Sequence, residues 1–292
     1  MDWSNGFAER VQRDVPLAGR TWYGLGGAAR YFFSPADVDE LREVLACARR
    51  AGHAVRVLGA GANLLVRDEG FDGLVLRLDA PAFTRVVYEE TRVTAGGGTD
   101  LMQLARDCAY RGLAGLEALA GIPASVGGAV VMNAGGRFGQ IADVVTSAAL
   151  MDRDGTVADV SAEQLQFGYR HSAVGERIVL HATMTLRREP ADDVVARFHE
   201  NWRYKKASQP MAAHSAGCVF RNPPGDSAGR LIDQAGLKGA ACGRARVSDV
   251  HGNFIVAEEG ATARDVLGLV EHVQAEVMAR TGVKLELEID VW

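Results

Sequence analysis

Two side chains set far apart in this sequence, Arg170 and Cys218, have the chemistry to manage a carboxylate and a carbanion, and the end of the chain adds the carboxylates Glu286 and Glu288, on a face that is usually solvated. Arg170 lies in Phe167-Gly-Tyr-Arg-His-Ser172, and its guanidinium is a permanently charged fork suited to a carboxylate or to an enolate developing beside one. A solvated arginine on a turn is the competing reading. Cys218 lies in Ser215-Ala-Gly-Cys-Val-Phe-Arg-Asn222, where small neighbours leave the thiol unshielded. No histidine stands at motif spacing to make it a nucleophile, so two readings stay open, a buried core cysteine and a proton donor. With an ordinary pKa near about 8.5, a thiol is mostly protonated at neutral pH and is a far stronger acid than an alcohol. Glu286 and Glu288 alternate with Leu285, Leu287 and Ile289, which puts both carboxylates on one face of a final strand. Trp202-Arg-Tyr-Lys-Lys206 adds a basic and aromatic cluster, suited to phosphates or to a solvated helix end.

Two glycine-rich segments could hold a large partner near these groups. Gly59-Ala60-Gly61-Ala62-Asn63-Leu64 follows a short apolar strand, where a tight turn exposes backbone amides to a pyrophosphate or serves as a plain structural turn. It lacks the full G-x-G-x-x-G and following helix of a nicotinamide-binding Rossmann turn. Residues 118–136 carry no charge, in a chain that is 24% charged. That run contains Gly121, Ile122, Pro123, Ser125, Gly127, Gly128, Asn133, Ala134 and Gly135. It is long enough to suggest a bilayer span, but its glycines, proline and asparagine make it a poor apolar helix, and a buried cofactor suits it better. Two such cradles fit a dinucleotide, one at its pyrophosphate and one beside its ring system.

The elements that must position these groups are legible in part. Ser34-Pro35 reads as an N-cap and first-turn proline before Val38, Leu41, Leu45 and Ala48, which repeat at helical spacing up to Ala51-Gly52. Residues 53–58 read as a strand, the glycine turn follows, and Leu64-Leu65-Val66 resumes extended. A second helix opens at Thr99-Asp100, with Leu101, Leu104, Ala105 and Cys108 on its buried face, and stops near Gly112. Strands are expected at 148–151, 157–160 and 178–186, a helix over 192–206, and another within 225–235 ended by Gly236. Thr262-x-x-Asp265 is a capping box before the apolar stripe Val266, Leu269, Val270, Val273 and Val277, and residues 284–291 alternate as a last strand. This order, without regular alternation of strand and helix, indicates an α+β protein.

The 292 residues give room for more than one domain, and 48% hydrophobic content is that of a globular chain. A net charge of −5 gives no general attraction to nucleic acid or anionic membranes, so an anionic ligand needs a local cluster. Cys47, Cys108, Cys218 and Cys242 form no C-x-x-C pair, which indicates neither a metal site nor a disulfide framework. Residues 1–10 show no apolar stretch after a basic start, so no secretory signal is expected and the protein is expected in the cytoplasm. Oligomeric state is not legible.

Taken in order, the segments resemble the UDP-N-acetylenolpyruvoylglucosamine reductases (UDP-N-acetylmuramate dehydrogenases), flavoenzymes of peptidoglycan synthesis. The resemblance runs through residues 21–28, 58–65, 115–117, 121–123, 127–128, 132–135, 169–172, 215–222, 228–229, 236–239 and 285–289. It implies a two-subdomain FAD-binding fold of the PCMH/VAO type, over residues 1–80 and 81–190, plus a C-terminal α+β substrate-binding domain over 191–292. It implies FAD on residues 59–64 and 121–135, NADPH as co-substrate, catalytic roles for Arg170, Cys218 and Glu288, and sugar-nucleotide contacts by Tyr169, Lys206, Asn222 and Lys238. In the family's reaction NADPH reduces FAD, and the reduced flavin reduces the enolpyruvyl C3 of UDP-N-acetylglucosamine-enolpyruvate. Arg170 and Glu288 would then stabilise the enol-like charge, and Cys218 would protonate C2. The alternative is a flavin-linked oxidase or dehydrogenase of the same fold acting on another substrate.

The sequence departs from the family's pattern at four places. Cys218 stands where serine is frequent, and Ala62 where serine is usual. Arg137-Phe138 replaces a small-aromatic pair, and the short stretch between Arg170 and Arg203 matches the form without an extra tyrosine-bearing loop.

Overall fold

The computed structural model describes residues 9–292; the stretch expected to lack a secretory signal lies, through Ala8, outside the described residues. Contacts divide the chain into two compact units, each discontinuous in sequence. The first comprises residues up to Arg13, Tyr31–Ala60 and Asp72–Tyr204, and the second Asp14–Arg30, Gly61–Phe71 and Lys205–Trp292. Cuts at residues 80 and 190 follow the order of the motifs, whereas the contacts follow strand pairs that join distant segments.

In the first unit, a five-stranded antiparallel sheet runs in the order Val157–Ser161, Val145–Met151, Ile178–Thr185, Arg92–Gly96, Val86–Glu89. Its apolar face packs with the helices Leu101–Tyr110 and Val126–Val131 in one core that includes Leu104, Val130, Leu150 and Met184. Asp100 caps the first of these helices, its carboxylate accepting from the Gln103 N–H at 2.7 Å. The second was not expected. Six residues of the uncharged run, Val126–Val131, coil once Ser125 Oγ accepts the Gly128 N–H at 3.2 Å, because two glycines there let backbone pack on backbone. The Gly127 N–H bonds the Gly97 carbonyl at 2.7 Å, and a Cβ on Gly127 would lie 2.9 Å from that oxygen.

A four-stranded sheet has the order Gln12–Pro16, Ala28–Phe33, Phe71–Leu76, Ala54–Val57, the last two parallel. Helix Val38–Arg50 buries Leu41, Val44, Leu45 and Ala48 against Phe33, Leu74 and Leu76. Its N-cap is Asp37, which accepts from the Glu40 N–H at 2.9 Å, so the helix opens three residues later than Ser34 suggested.

The second unit centres on helix Ala263–Thr281, whose stripe Val266, Leu269, Val270, Val273 and Val277 is buried with Tyr23, Leu65, Val219 and Phe220. The expected capping box forms with both its bonds: Thr262 Oγ1 accepts from the Asp265 N–H at 3.1 Å, and the Asp265 carboxylate accepts from the Thr262 N–H at 3.0 Å. Asp68 adds a second cap, accepting from Ala263 and Arg264 at 2.8 and 3.0 Å. Around this helix lie Ala228–Gln234, capped by Ser227, and the three-stranded sheet Ala241–Cys242, Ala245–Val247, Ile255–Ala257. Of the expected last strand only Asp290–Val291 is regular, pairing parallel with Leu64–Leu65. Residues 285–288 face a curved loop and make single rungs to it instead.

Candidate active site

In the first unit, the end of the uncharged run and the Tyr169-Arg170 turn are one hydrogen-bonded construction. Gly168 and His171 close a two-residue hairpin, exchanging backbone bonds of 3.0 and 3.2 Å, and leave Tyr169 and Arg170 at its tip. Asn133, 1% exposed, donates from Nδ2 to the Gly168 carbonyl at 2.8 Å and to Gln140 Oε1 at 3.1 Å, and accepts from the Ala142 N–H at 3.2 Å. Ser172 Oγ donates to the Val131 carbonyl at 2.8 Å. Arg170 Nη2 donates to the Gly135 carbonyl at 2.9 Å, and its guanidinium carbon lies 5.2 Å from the Tyr169 ring centroid. Both Asn133 (φ 43°) and Arg170 (φ 52°) occupy the left-handed region, a strain of about 1–2 kcal/mol apiece for a residue with a Cβ, held in place by these bonds.

Glu117, 6% exposed, fixes the start of the same run. Its carboxylate accepts from Arg197 Nε and Nη2 at 3.1 and 3.0 Å and from the Gly115 N–H, while Asn201 Nδ2 donates to its carbonyl at 3.0 Å. Helix Ala191–Ser208, which carries Arg197 and Asn201, therefore clamps the segment leading to Gly121. The Gly121 N–H in turn donates to Met102 Sδ at 2.7 Å.

The glycine turn is built by close approach. A Cβ on Gly59 would lie 2.6 Å from Ser125 Oγ, and one on Gly61, at φ 68°, 2.4 Å from the Arg20 carbonyl. Among the described residues the backbone amides of 59–63 donate to no protein acceptor. A row of unspent N–H groups on a turn that admits no side chain at Gly59 or Gly61 fits the pyrophosphate of a dinucleotide. The fit to FAD at residues 59–63 rests on that observation.

In the second unit, one extended segment joins three of the expected residues. The Glu288 N–H donates to the Val219 carbonyl at 2.8 Å, next to Cys218, and the Glu288 carbonyl accepts from Asn63 Nδ2 at 3.1 Å. The Asn63 carbonyl then accepts from the Asp290 N–H at 2.9 Å. Glu288 is thus gripped by its backbone on both sides, at the level of the Cys218 loop and of the glycine turn, and it and Cys218 are half-buried. Asn222, exposed, uses Oδ1 to accept from the Ala228 N–H at 3.0 Å. Lys206 is exposed in the last turn of its helix, and Lys238, also exposed, pairs with Asp233 at 3.0 Å.

Arg137 and Phe138 tip the Gly135–Gly136/Gly139–Gln140 hairpin and both meet Tyr204, by a 3.3 Å hydrogen bond and by an edge-to-face contact at 5.3 Å. Two surface recesses, beside Met102 and Trp202 and beside Asp68 and Ala263, contain none of the expected site residues. The structural residues that sequence reading passed over are Glu117, Arg197 and Asn253. The one available signal was polarity out of place, a carboxylate at the edge of an uncharged run and an asparagine heading an apolar strand.

Comparison with known proteins agrees with this construction. Residues 209–292 match the family model of the UDP-N-acetylenolpyruvoylglucosamine reductase C-terminal domain, and residues 29–161 match that of the FAD binding domain. UDP-N-acetylenolpyruvoylglucosamine reductase 2 of Symbiobacterium thermophilum is 42% identical over 97% of this chain and 92% of its own length. The Bacillus subtilis reductase is 36% identical over 97% of this chain and 94% of its own. The crystal structure of the Thermus caldophilus reductase superposes with a TM-score of 0.84 at 42% identity, covering 97% of this chain and 99% of that one. With an FAD-binding fold, a matching C-terminal domain and likeness along nearly its whole length, the chain belongs to the UDP-N-acetylenolpyruvoylglucosamine reductase family.

Proposed function

We propose that this protein reduces UDP-N-acetylglucosamine-enolpyruvate to UDP-N-acetylmuramate, with FAD as cofactor and NADPH as reductant, in the cytoplasmic synthesis of peptidoglycan precursors. Family membership carries the reaction. The observation that supports particular residues is the Asn63–Glu288–Val219 stitch, which joins the backbone of Glu288 to the glycine turn on one side and to the residue after Cys218 on the other. When bound, FAD supplies the two-electron chemistry between NADPH and the enolpyruvyl double bond.

The chain's own residues do the rest. The amides of 59–63 hold the pyrophosphate, and the uncharged run from Gly121 to Gly135 excludes water, which strengthens every charge interaction in the site. Asn133 acts through the Tyr169-Arg170 turn, which it ties to the end of that run. Arg170 holds the substrate carboxylate, where negative charge grows as C3 is reduced. Glu288 acts with Arg170 to stabilise the enol-like group, and the Cys218 thiol delivers the proton to C2. Tyr169, Lys206, Asn222 and Lys238 contact the sugar nucleotide; residues 1–80 and 81–190 form the FAD-binding subdomains, the second lending Tyr169 and Arg170 to the substrate, and 191–292 form the substrate-binding domain.

The purified protein is expected to be yellow and to oxidise NADPH only when the enolpyruvyl sugar nucleotide is present. Equal oxidation without it would transfer the reading to a flavin oxidase. Cys218→Ala is expected to cut turnover by about 10²–10⁴-fold while NADPH still reduces the flavin at the wild-type rate. Stopped-flow traces with flavin reduction slowed just as much would remove Cys218 from the proton-donor role.

A further inference from the structure

We infer that Asn253 is the residue that positions the Cys218 thiol, an inference that deepens the proposed reaction and rests on Cys218 as its proton donor. Cys218 follows Gly217, which sits at φ 76°, so the chain on that side has a glycine's freedom. On the other side, Val219 and Phe220 are 0% and 1% exposed, and their backbone groups need partners. No regular strand supplies them. The Asn253 carbonyl accepts from the Val219 N–H at 2.9 Å, its Oδ1 accepts from the Phe220 N–H at 2.9 Å, and its Nδ2 donates to the Phe220 carbonyl at 2.7 Å. One residue thus stands in for a strand, its side-chain amide imitating a peptide unit. The remaining carbonyl, that of Val219, accepts from the Glu288 N–H at 2.8 Å. The backbone that follows Cys218 is therefore held between Asn253 and Glu288.

Asn253 is itself held. It is 3% exposed, its N–H donates to His251 Nδ1 at 3.2 Å, and it heads the strand Ile255–Ala257. A Cβ on Gly252 would lie 2.8 Å from the Gly229 carbonyl, so the 251–253 loop is seated on helix Ala228–Gln234 with no slack. Only an amide side chain both donates and accepts in this arrangement. Aspartate would face the Phe220 carbonyl with a second acceptor, and serine keeps one bond of the two.

The experiment separates the two half-reactions in the holoenzyme and reads the thiol directly. In Asn253→Ala, flavin reduction by NADPH is expected at the wild-type rate, and reoxidation by the enolpyruvyl sugar nucleotide is expected to slow on the order of 10²-fold, the usual effect of an ångström of misplacement. Asn253→Ser is expected between the two, and it also carries the test should Asn253→Ala not accumulate as folded protein. Peptide-resolved alkylation should show a several-fold change in the Cys218 rate in both variants, at unchanged Cys242 rate. Wild-type reoxidation in a folded variant, or equal slowing of both half-reactions, would overturn the positioning role. Cys218→Ala is the control: if it reoxidises at the wild-type rate the donor assignment fails, and the hold of Asn253 on Cys218 is then decided by alkylation alone.

Discussion

Cys108 and Cys218 show how surroundings decide what a thiol can do. Cys108 is fully buried on the inner face of its helix, and burial, with Asp107 adding to it, pushes its thiol up to about 12. It is a core residue that happens to contain sulfur. Cys218 is half-buried, on a loop whose Val219 carbonyl accepts from the Glu288 N–H, and the proposed reaction uses its acidity. Histidine 251 offers a second residue-level consequence. Burial, reinforced by repulsion from Lys238, lowers its pKa from the usual 6.5, and its Nδ1 must be unprotonated to accept the Asn253 N–H. The sign follows from linkage: the unfolded chain binds a proton near pH 6.5 that the folded chain binds only at lower pH. The neutral imidazole's contribution is therefore complete above about pH 6.5 and is lost as pH falls toward the folded value. Thermal melts of wild type and His251→Gln from pH 8 to pH 5 should diverge below about pH 6.5, with wild type losing the more stability; parallel curves would show that His251 carries no linkage.

Glycine turns and short caps, rather than long helices, position the backbone of the proposed cofactor site. Ser125 is the clearest case, because its hydroxyl caps the Gly128 N–H at 3.2 Å and also limits Gly59 to a hydrogen. Gly59→Ala should therefore weaken FAD retention by forcing a Cβ to within 2.6 Å of Ser125 Oγ. Ser125→Ala alone should cost about 1 kcal/mol of local stability through the lost cap. In the double variant the oxygen is gone and the Ser125 Cβ lies at 3.6 Å, ordinary contact, so FAD affinity should recover relative to Gly59→Ala alone. Additive losses in a flavin titration would mean the clash is not what matters. These elements also mark what could be read from the chain. The 262–265 capping box and the valine stripe after it were legible because both use near neighbours in sequence. Strands Ala28–Phe33 and Phe71–Leu76 were missed because they lack clean alternation: Phe32 and Phe33 are both buried, as are Leu74, Val75 and Leu76. The Tyr169-Arg170 turn was visible as a motif, but its seat on Asn133 and Gly135 joins residues some 35 positions apart, which no local pattern encodes.

The second unit draws its parts from three places in the chain, and that has a consequence for folding. Its core contains Tyr23 and Leu65 together with the stripe of helix Ala263–Thr281. The first-turn amides of that helix at Ala263 and Arg264 are capped by Asp68, and strand Asp290–Val291 finds its partner in Leu64–Leu65. Trp292 is fixed in the same way, its N–H donating to the Leu65 carbonyl at 3.0 Å while its own carbonyl accepts from Arg67 at 2.9 Å. Residues 209–292, the stretch that matches the C-terminal family model, contain none of Tyr23, Leu65 or Asp68. Expressed alone, that stretch would leave an edge without its strand, two helix amides without their cap and an apolar core open on one side. Each lost cap or unpaired buried group costs about 1–3 kcal/mol, and a whole domain is stable by only about 5–15 kcal/mol. The fragment is expected to give poorly dispersed amide NMR spectra, whereas the full chain gives dispersed ones; a fragment with native-like dispersion would show that residues 14–30 and 61–71 are dispensable to this core. Because residues 61–71 begin with the glycine turn that faces the flavin pyrophosphate in the proposed site, closing this core also sets Asn63 against Glu288. Folding of the unit thus also places the backbone of Glu288, the carboxylate residue of the proposed reaction.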